Sequence, residues 1–133
     1  MAFGVATVFT TTGKAIVAKR MIGATPAQIT PNFQAIGVGA TGAARTAVVG
    51  DTALSTEVET RVNTNAFTTV TTTLTNDTAQ LVQTTTATTA RSVDEAGLFD
   101  ASSTGNMFIS ATFNVISLAN GDSIQLTWKW QIT

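Results

Sequence analysis

The chain has no cysteine, no histidine and no tyrosine. Without cysteine there is no disulfide framework, no thiolate metal site and no thiolate nucleophile. Without histidine the commonest general base and the commonest transition-metal ligand are both missing. Charge is also scarce. Seven basic and 8 acidic residues among 133 give a net charge of −1 and a charged share of 11%, under half the usual share of about 25%. The basic residues Lys14, Lys19, Arg20, Arg45, Arg61, Arg91 and Lys129 are scattered, with only Lys19 and Arg20 adjacent. No basic stripe points to nucleic acid or an anionic membrane as partner. No apolar run reaches the roughly 18 residues of a spanning helix. The opening "MAFGVATVFTTTGKAIVAKR" places its charges after its apolar stretch and shows no cleavage pattern, so no signal peptide is expected.

What is present is β-branched and alternating. In "SIQLTWKWQIT" the residues Ile124, Leu126, Trp128, Trp130 and Ile132 alternate with polar ones. This two-residue period predicts a half-buried strand whose apolar stripe lies in the core. Upstream, "NMFISATFNVI" places Met107, Ile109, Ala111, Phe113 and Val115 on one face, with Phe108 out of step. Asn120-Gly121-Asp122 between the two runs is turn chemistry, and the pair predicts a C-terminal β-hairpin. The threonine-rich stretch 64–90 could be a disordered stalk, but threonine is β-branched and favours strands. Two antiparallel strands over about 66–74 and 79–89 are expected, with "TNDT" as the turn.

The N-terminal third is mixed. "FGVATVF" at 3–9 and "NFQAIGVG" at 32–39 read as strands, and "TTGKAIVAKRMIG" as a helix. Thr12 would cap that helix, Ile16, Val17, Arg20 and Met21 follow helical spacing, and Gly23 would end it. "GATGAARTAVVG" reads as a flexible loop, and Asp51 as the cap of a short turn or helix in "DTALSTEV". Five to seven strands with one short N-terminal helix and no linker predict a single domain. Its class is all-β and mainly antiparallel, a small β-sandwich or barrel.

Several residues invite a chemical reading. Asp94, Glu95 and Asp100 flank "GLF", but their spacing is too loose for a calcium loop. Two of them could serve as an acid/base pair only if they faced each other across a cleft. The structural alternative is stronger. Asp100 would accept backbone N–H bonds and fix the turn at "ASSTG". Gly97 would permit a close approach or a positive φ, and Leu98 and Phe99 would be apolar anchors. "GVGATG" at 37–42 fits the spacing of a dinucleotide loop, yet no βαβ pattern surrounds it, so a surface loop is expected. Neither G-x-S-x-G nor S-x-x-K occurs. Trp128 and Trp130 could form a sugar platform, but they share a face with aliphatic residues and read as core. No catalytic residue, metal or cofactor is expected.

Four segments taken in order resemble a known family. They are "GKAIVAKR", the glycine-rich stretch ending in "DTALSTEV", "EAGLFDASSTGNMFISATF" and "GDSIQLTWKWQIT". They are similar to motifs of small structural proteins of tailed bacteriophage virions, while the threonine-rich middle has no counterpart. The resemblance implies a non-enzymatic protein of the virion. It would be made in the bacterial host cytoplasm and placed on the outer capsid surface as a decoration (cement) subunit. Its partner would be the major capsid protein, and a homo-oligomer is implied, with a trimer favoured. The alternative place is the neck, collar or tail fibre. The charge-poor composition fits a chain that buries its surface against other proteins.

Overall fold

The structure is a computed structural model that describes residues 5–23, 30–42, 44–63 and 67–132. Among these residues it contains one helix and eight strands: β1 (Val5–Phe9), α1 (Thr11–Met21), β2 (Phe33–Val38), β3 (Thr56–Val62), β4 (Phe67–Val70), β5 (Thr78–Thr86), β6 (Arg91–Phe99), β7 (Met107–Leu118) and β8 (Ser123–Gln131). They form a five-stranded sheet in the order β1-β7-β6-β2-β3 and a three-stranded sheet in the order β4-β5-β8. Every pairing is antiparallel. The expected all-β class with one short helix is what the chain adopts.

The two sheets share one core. Leu81, Ile124 and Trp128 from the small sheet pack with Ile36, Leu98, Phe108 and Ile109 from the large one. The alternation in β8 does what its period predicts: Ile124 and Trp128 are buried, and Leu126 and Trp130 pack partly buried against the core. Ile132 lies past the end of the strand and is 67% exposed. A polar seam also joins the sheets. Gln34 of β2 is fully buried, and its Oε1 accepts from Trp128 Nε1 at 2.8 Å. Its Nε2 donates to Thr85 Oγ1 at 2.9 Å, while Gln83 Nε2 donates to the carbonyl of Asn32 at 2.6 Å. Three buried polar side chains, Gln34, Trp128 and Thr85, thereby satisfy one another, and Gln83 is satisfied by backbone, as burial requires.

The C-terminal hairpin does not form. β7 is sandwiched between β1 and β6, and β8 pairs with β5 in the other sheet. Residues 119–122 do reverse the chain, with Gly121 at φ +89°, but they carry it across the sandwich. The same crossing is made by the segment after β5. The two connections hydrogen-bond to each other, Ala87 N–H to the Asp122 carbonyl and Gly121 N–H to the Ala87 carbonyl, both at 2.8 Å. The turn chemistry was legible, whereas the partner strand depends on which edges are already occupied.

Other departures have local causes. β3 and β6 occupy segments read as a short turn or helix and as isolated anchors. The expected alternation in β7 breaks at a register shift where Leu98 faces Ile109 but Phe99 faces Met107. The extra residue is Phe108, which joins the inter-sheet core, while Met107 packs in a second cluster with Ala35, Leu54 and Phe99. The cap of α1 is Thr10, not Thr12: its side chain accepts from Gly13 N–H at 2.9 Å. Gly23 ends the helix at φ +62°, but Met21 is exposed. The threonine-rich region is ordered as β4 and β5, with β4 stopping at Val70. Residues 71–77 are instead wound around Asp77, whose carboxylate accepts from the N–H groups of Thr72, Thr73 and Leu74.

Candidate functional site

The acidic residues flanking "GLF" were the first candidates for chemistry, and each proves to hold backbone. Asp100 accepts from Asn106 N–H at 2.7 Å and from the Asn106 side-chain amide at 2.8 Å. It closes the turn before β7 as expected. Gly105, at φ +74°, leaves the room, because a Cβ there would lie 2.6 Å from Asp100 Oδ1. Gly97 does not take a positive φ. It keeps strand geometry, and a Cβ on it would press on Met107 and Phe99, both at 3.1 Å. Leu98 and Phe99 are buried anchors in the two separate clusters.

Asp94 and Glu95 secure the loop 39–55 against the large sheet. The glycine-rich turn offers the N–H groups of Ala40 and Gly42, and both go to the Asp94 carboxylate at 3.1 Å. The loop that resembled a phosphate cradle therefore cradles the protein's own carboxylate, with Gly39 and Gly42 at φ +106° and +66°. Glu95, fully buried, accepts from Arg45 Nη2 at 2.8 Å and from Thr56 N–H at 3.1 Å. Gly37 makes space for it, since a Cβ there would sit 2.7 Å from Glu95 Oε1. Arg45 also reaches Asp51 at 3.2 Å, and Asp51 accepts from Ser110 at 2.7 Å. Asp51 is thus a strut of this network rather than a helix cap.

Electrostatics fit bracing better than acid/base work. Burial pushes the Asp51 carboxyl up, but the Ser110 hydroxyl, the Val48 N–H and Arg45 outweigh it and hold it below its ordinary value. A general acid needs the opposite shift. Burial likewise disfavours the Arg45 charge, and its bonds to Glu95 and Asp51 more than restore it. Arg45 lies between the Asp51 and Glu95 carboxylates and bonds to both. Among the described residues no group of three potential ligands could hold a metal ion, and no helix is long and apolar enough to cross a membrane.

The remaining candidates are surfaces. An apolar cleft of about 440 Å³ opens between the sheets, with Phe113, Ile116, Leu126 and Trp128 on its walls and Asn114 and Lys129 among its lining. A second groove, of about 510 Å³, lies where α1 meets the end of β8 and is lined by Phe9, Lys14, Val17, Trp130, Gln131 and Ile132. Its aromatic floor is stacked edge-on. The Phe9 and Phe108 ring centres are 4.6 Å apart, and those of Phe108 and Trp130 5.2 Å. Met21, Ile22, Val48, Val49, Leu74 and Val115 add exposed apolar surface elsewhere. The tryptophans do not form a sugar platform: Trp128 is buried and bonded to Gln34, and Trp130 is wedged between Phe108 and Phe67.

Charge is compensated unevenly. Glu57 pairs with Arg61 and Glu59 with Arg91, at 2.7 and 2.9 Å. Asp122 accepts from Ala119 N–H at 2.8 Å. With the contacts above, all eight acidic side chains are engaged inside the protein. Lys14, Lys19 and Lys129 make no ion pair among the described residues. The groove is invisible in sequence because Lys14 and Ile132 stand at opposite ends of the chain, and no spacing rule joins them. No family model, curated protein or solved structure matches this chain.

Proposed function

We propose that this chain is a structural subunit of a tailed-phage virion, a decoration (cement) protein. It binds the outer capsid surface through non-covalent interfaces and strengthens the shell against internal DNA pressure. Its partners are the major capsid protein and further copies of itself, with a trimer favoured. The observation that carries this reading is where the phage-like motifs fall in the fold. In "DTALSTEV", Asp51 braces Arg45 and Ser110 while Leu54 fills the second core cluster. In "EAGLFDA", Glu95, Gly97, Phe99 and Asp100 each anchor a loop or a cluster. Motif residues that serve as struts would recur among proteins sharing a fold and a lattice role, with no reaction to conserve. The exposed apolar residues and the sparse charge support the same reading, because such a surface is suited to being covered.

Capsids lacking the protein provide the test. The purified chain should bind them and raise the temperature at which they release DNA; failure to bind, with heat stability unchanged, defeats the proposal. A second reading, a neck, collar or tail-fibre-associated component, shares the same supports and differs in place. Copy number per particle separates the two.

A further inference from the structure

We propose that Asn120-Gly121, in the turn that carries the chain from β7 to β8, is a site of spontaneous covalent modification. Asn120 deamidates through a cyclic imide, and the Ala87 carbonyl sets the pace. The inference goes beyond the virion reading and does not rest on it. Three observations converge. Of the seven asparagines, Asn120 alone precedes a glycine, so no side chain shields the next main-chain nitrogen. Asn120 and Gly121 are both exposed, and a Cβ on Gly121 would meet nothing within 4 Å, so solvent reaches the turn. The Asn120 side chain makes no hydrogen bond among the described residues, which leaves its amide carbon free to swing toward the backbone.

The reaction needs only water. The Gly121 main-chain nitrogen gives its proton to solvent base and attacks Asn120 Cγ. The Cγ–Nδ2 bond breaks, and the side-chain nitrogen takes a proton from water and leaves as ammonia. Water then opens the five-membered imide. Opening at Cγ restores the normal backbone and leaves aspartate at position 120. Opening at the main-chain carbonyl routes the backbone through Cγ and leaves isoaspartate. One water is consumed, one ammonia is released, and nothing is oxidised or reduced. The fold holds the nucleophile back. Gly121 N–H donates to the Ala87 carbonyl at 2.8 Å, and Ala87 N–H donates to the Asp122 carbonyl at 2.8 Å. While this tie between the two sheet crossings is closed, the nitrogen keeps its proton and stays away from Cγ. Reaction therefore proceeds from a locally opened turn, without unfolding of the sandwich. The product then weakens the tie that delayed it. Isoaspartate adds one methylene to the backbone between Ala119 and Gly121, which pulls the Ala87 bonds out of register. It also sets a new carboxylate near that of Asp122, which already accepts from Ala119 N–H at 2.8 Å. The turn thus ages in one direction, from a closed tie to a looser link.

The test uses the full chain in mildly alkaline buffer, folded and, in parallel, unfolded in guanidinium chloride. Ammonia release, peptide mass mapping and isoaspartate-specific methyl transfer follow the reaction. In the folded chain, product should appear at Asn120 before any other asparagine, about tenfold more slowly than in the unfolded chain. Asn120→Gln, whose longer side chain closes no five-membered ring, should abolish that product and leave the urea midpoint where it was. The isoaspartate form, separated by its added charge, should unfold at lower urea than the parent. Asn120→Asp, which keeps the normal backbone, should lose less. Several results would overturn the inference. They are earlier modification at another asparagine, a folded rate equal to or above the unfolded one, a folded rate so low that only global unfolding explains it, and an isoaspartate form as stable as the parent.

Discussion

Replacing Gln34 with leucine should cost more than any surface change of similar size. The side chain is fully buried between the sheets, accepting from the Trp128 indole at 2.8 Å and donating to Thr85 at 2.9 Å. Gln34→Leu keeps most of the volume but removes both functions. The indole N–H then has no acceptor in a closed core, which costs about 1–3 kcal/mol, and the Thr85 hydroxyl loses a donor worth about 1 kcal/mol. The total is roughly 2–4 kcal/mol, or about 6–16 °C in Tm for a domain of this size. Urea unfolding followed by tryptophan emission measures it, with the midpoint falling and the slope unchanged. The reasoning also predicts coupling. In a Trp128→Phe background the donor is gone, so Gln34→Leu should cost at least about 1 kcal/mol less. Equal costs in both backgrounds, or a Tm shift under about 2 °C, would refute the claim that the seam binds the sheets.

Other expectations follow from the struts. Glu95→Ala orphans Thr56 N–H and strips Arg45 of one of its two carboxylates; since Arg45 is partly exposed, the loss should be about 2–3 kcal/mol, below a fully buried pair, by chemical denaturation. Asp100→Ala should destabilise by about 1–2 kcal/mol, and added calcium should leave the melting temperature of wild type and variant alike unchanged. Asp51, Glu59 and Asp77 all have carboxyls held below their ordinary values, Glu59 chiefly by Arg91 and Asp77 chiefly by the Leu74 N–H. Lowered carboxyls stabilise the fold above their unfolded values of 3.8 and 4.5 and lose that contribution as pH falls through the folded ones. The urea midpoint should therefore be flat from about pH 5.5 to 8, where no histidine or cysteine titrates, and drop below about pH 4; a step near neutrality would contradict this.

Local pattern was the readable part of this fold. β8 was legible because its period of two reports burial directly, and β5 because threonine stiffness favours extended backbone. β6 was not, because its centre carries Asp94 and Glu95, which the sequence presents as metal-ligand or acid/base candidates and not as strand residues. Their partners lie 39 to 54 residues away, at Ala40, Arg45 and Thr56. β3 alternates Val58, Thr60 and Val62 with charged residues, yet Asp51 upstream suggested a helix start. Its left-handed Glu59, at φ +61°, interrupts the pairing with β2 and turns the carboxylate to Arg91 and Thr88. The β7–β8 reversal was visible as a turn but not as a sheet crossing, since competition for strand edges is a property of the whole topology. The same limit applies to the groove between α1 and the end of β8, whose two walls lie far apart in the sequence.

The virion role is the central claim, and a cryo-electron microscopy map of the source particle addresses it most directly. A decoration protein predicts this sandwich on the outside of the shell at local symmetry axes, in on the order of hundreds of copies. Density confined to a ring of about six to eighteen copies at the neck or tail would move it there, and a particle without the chain would contradict the account.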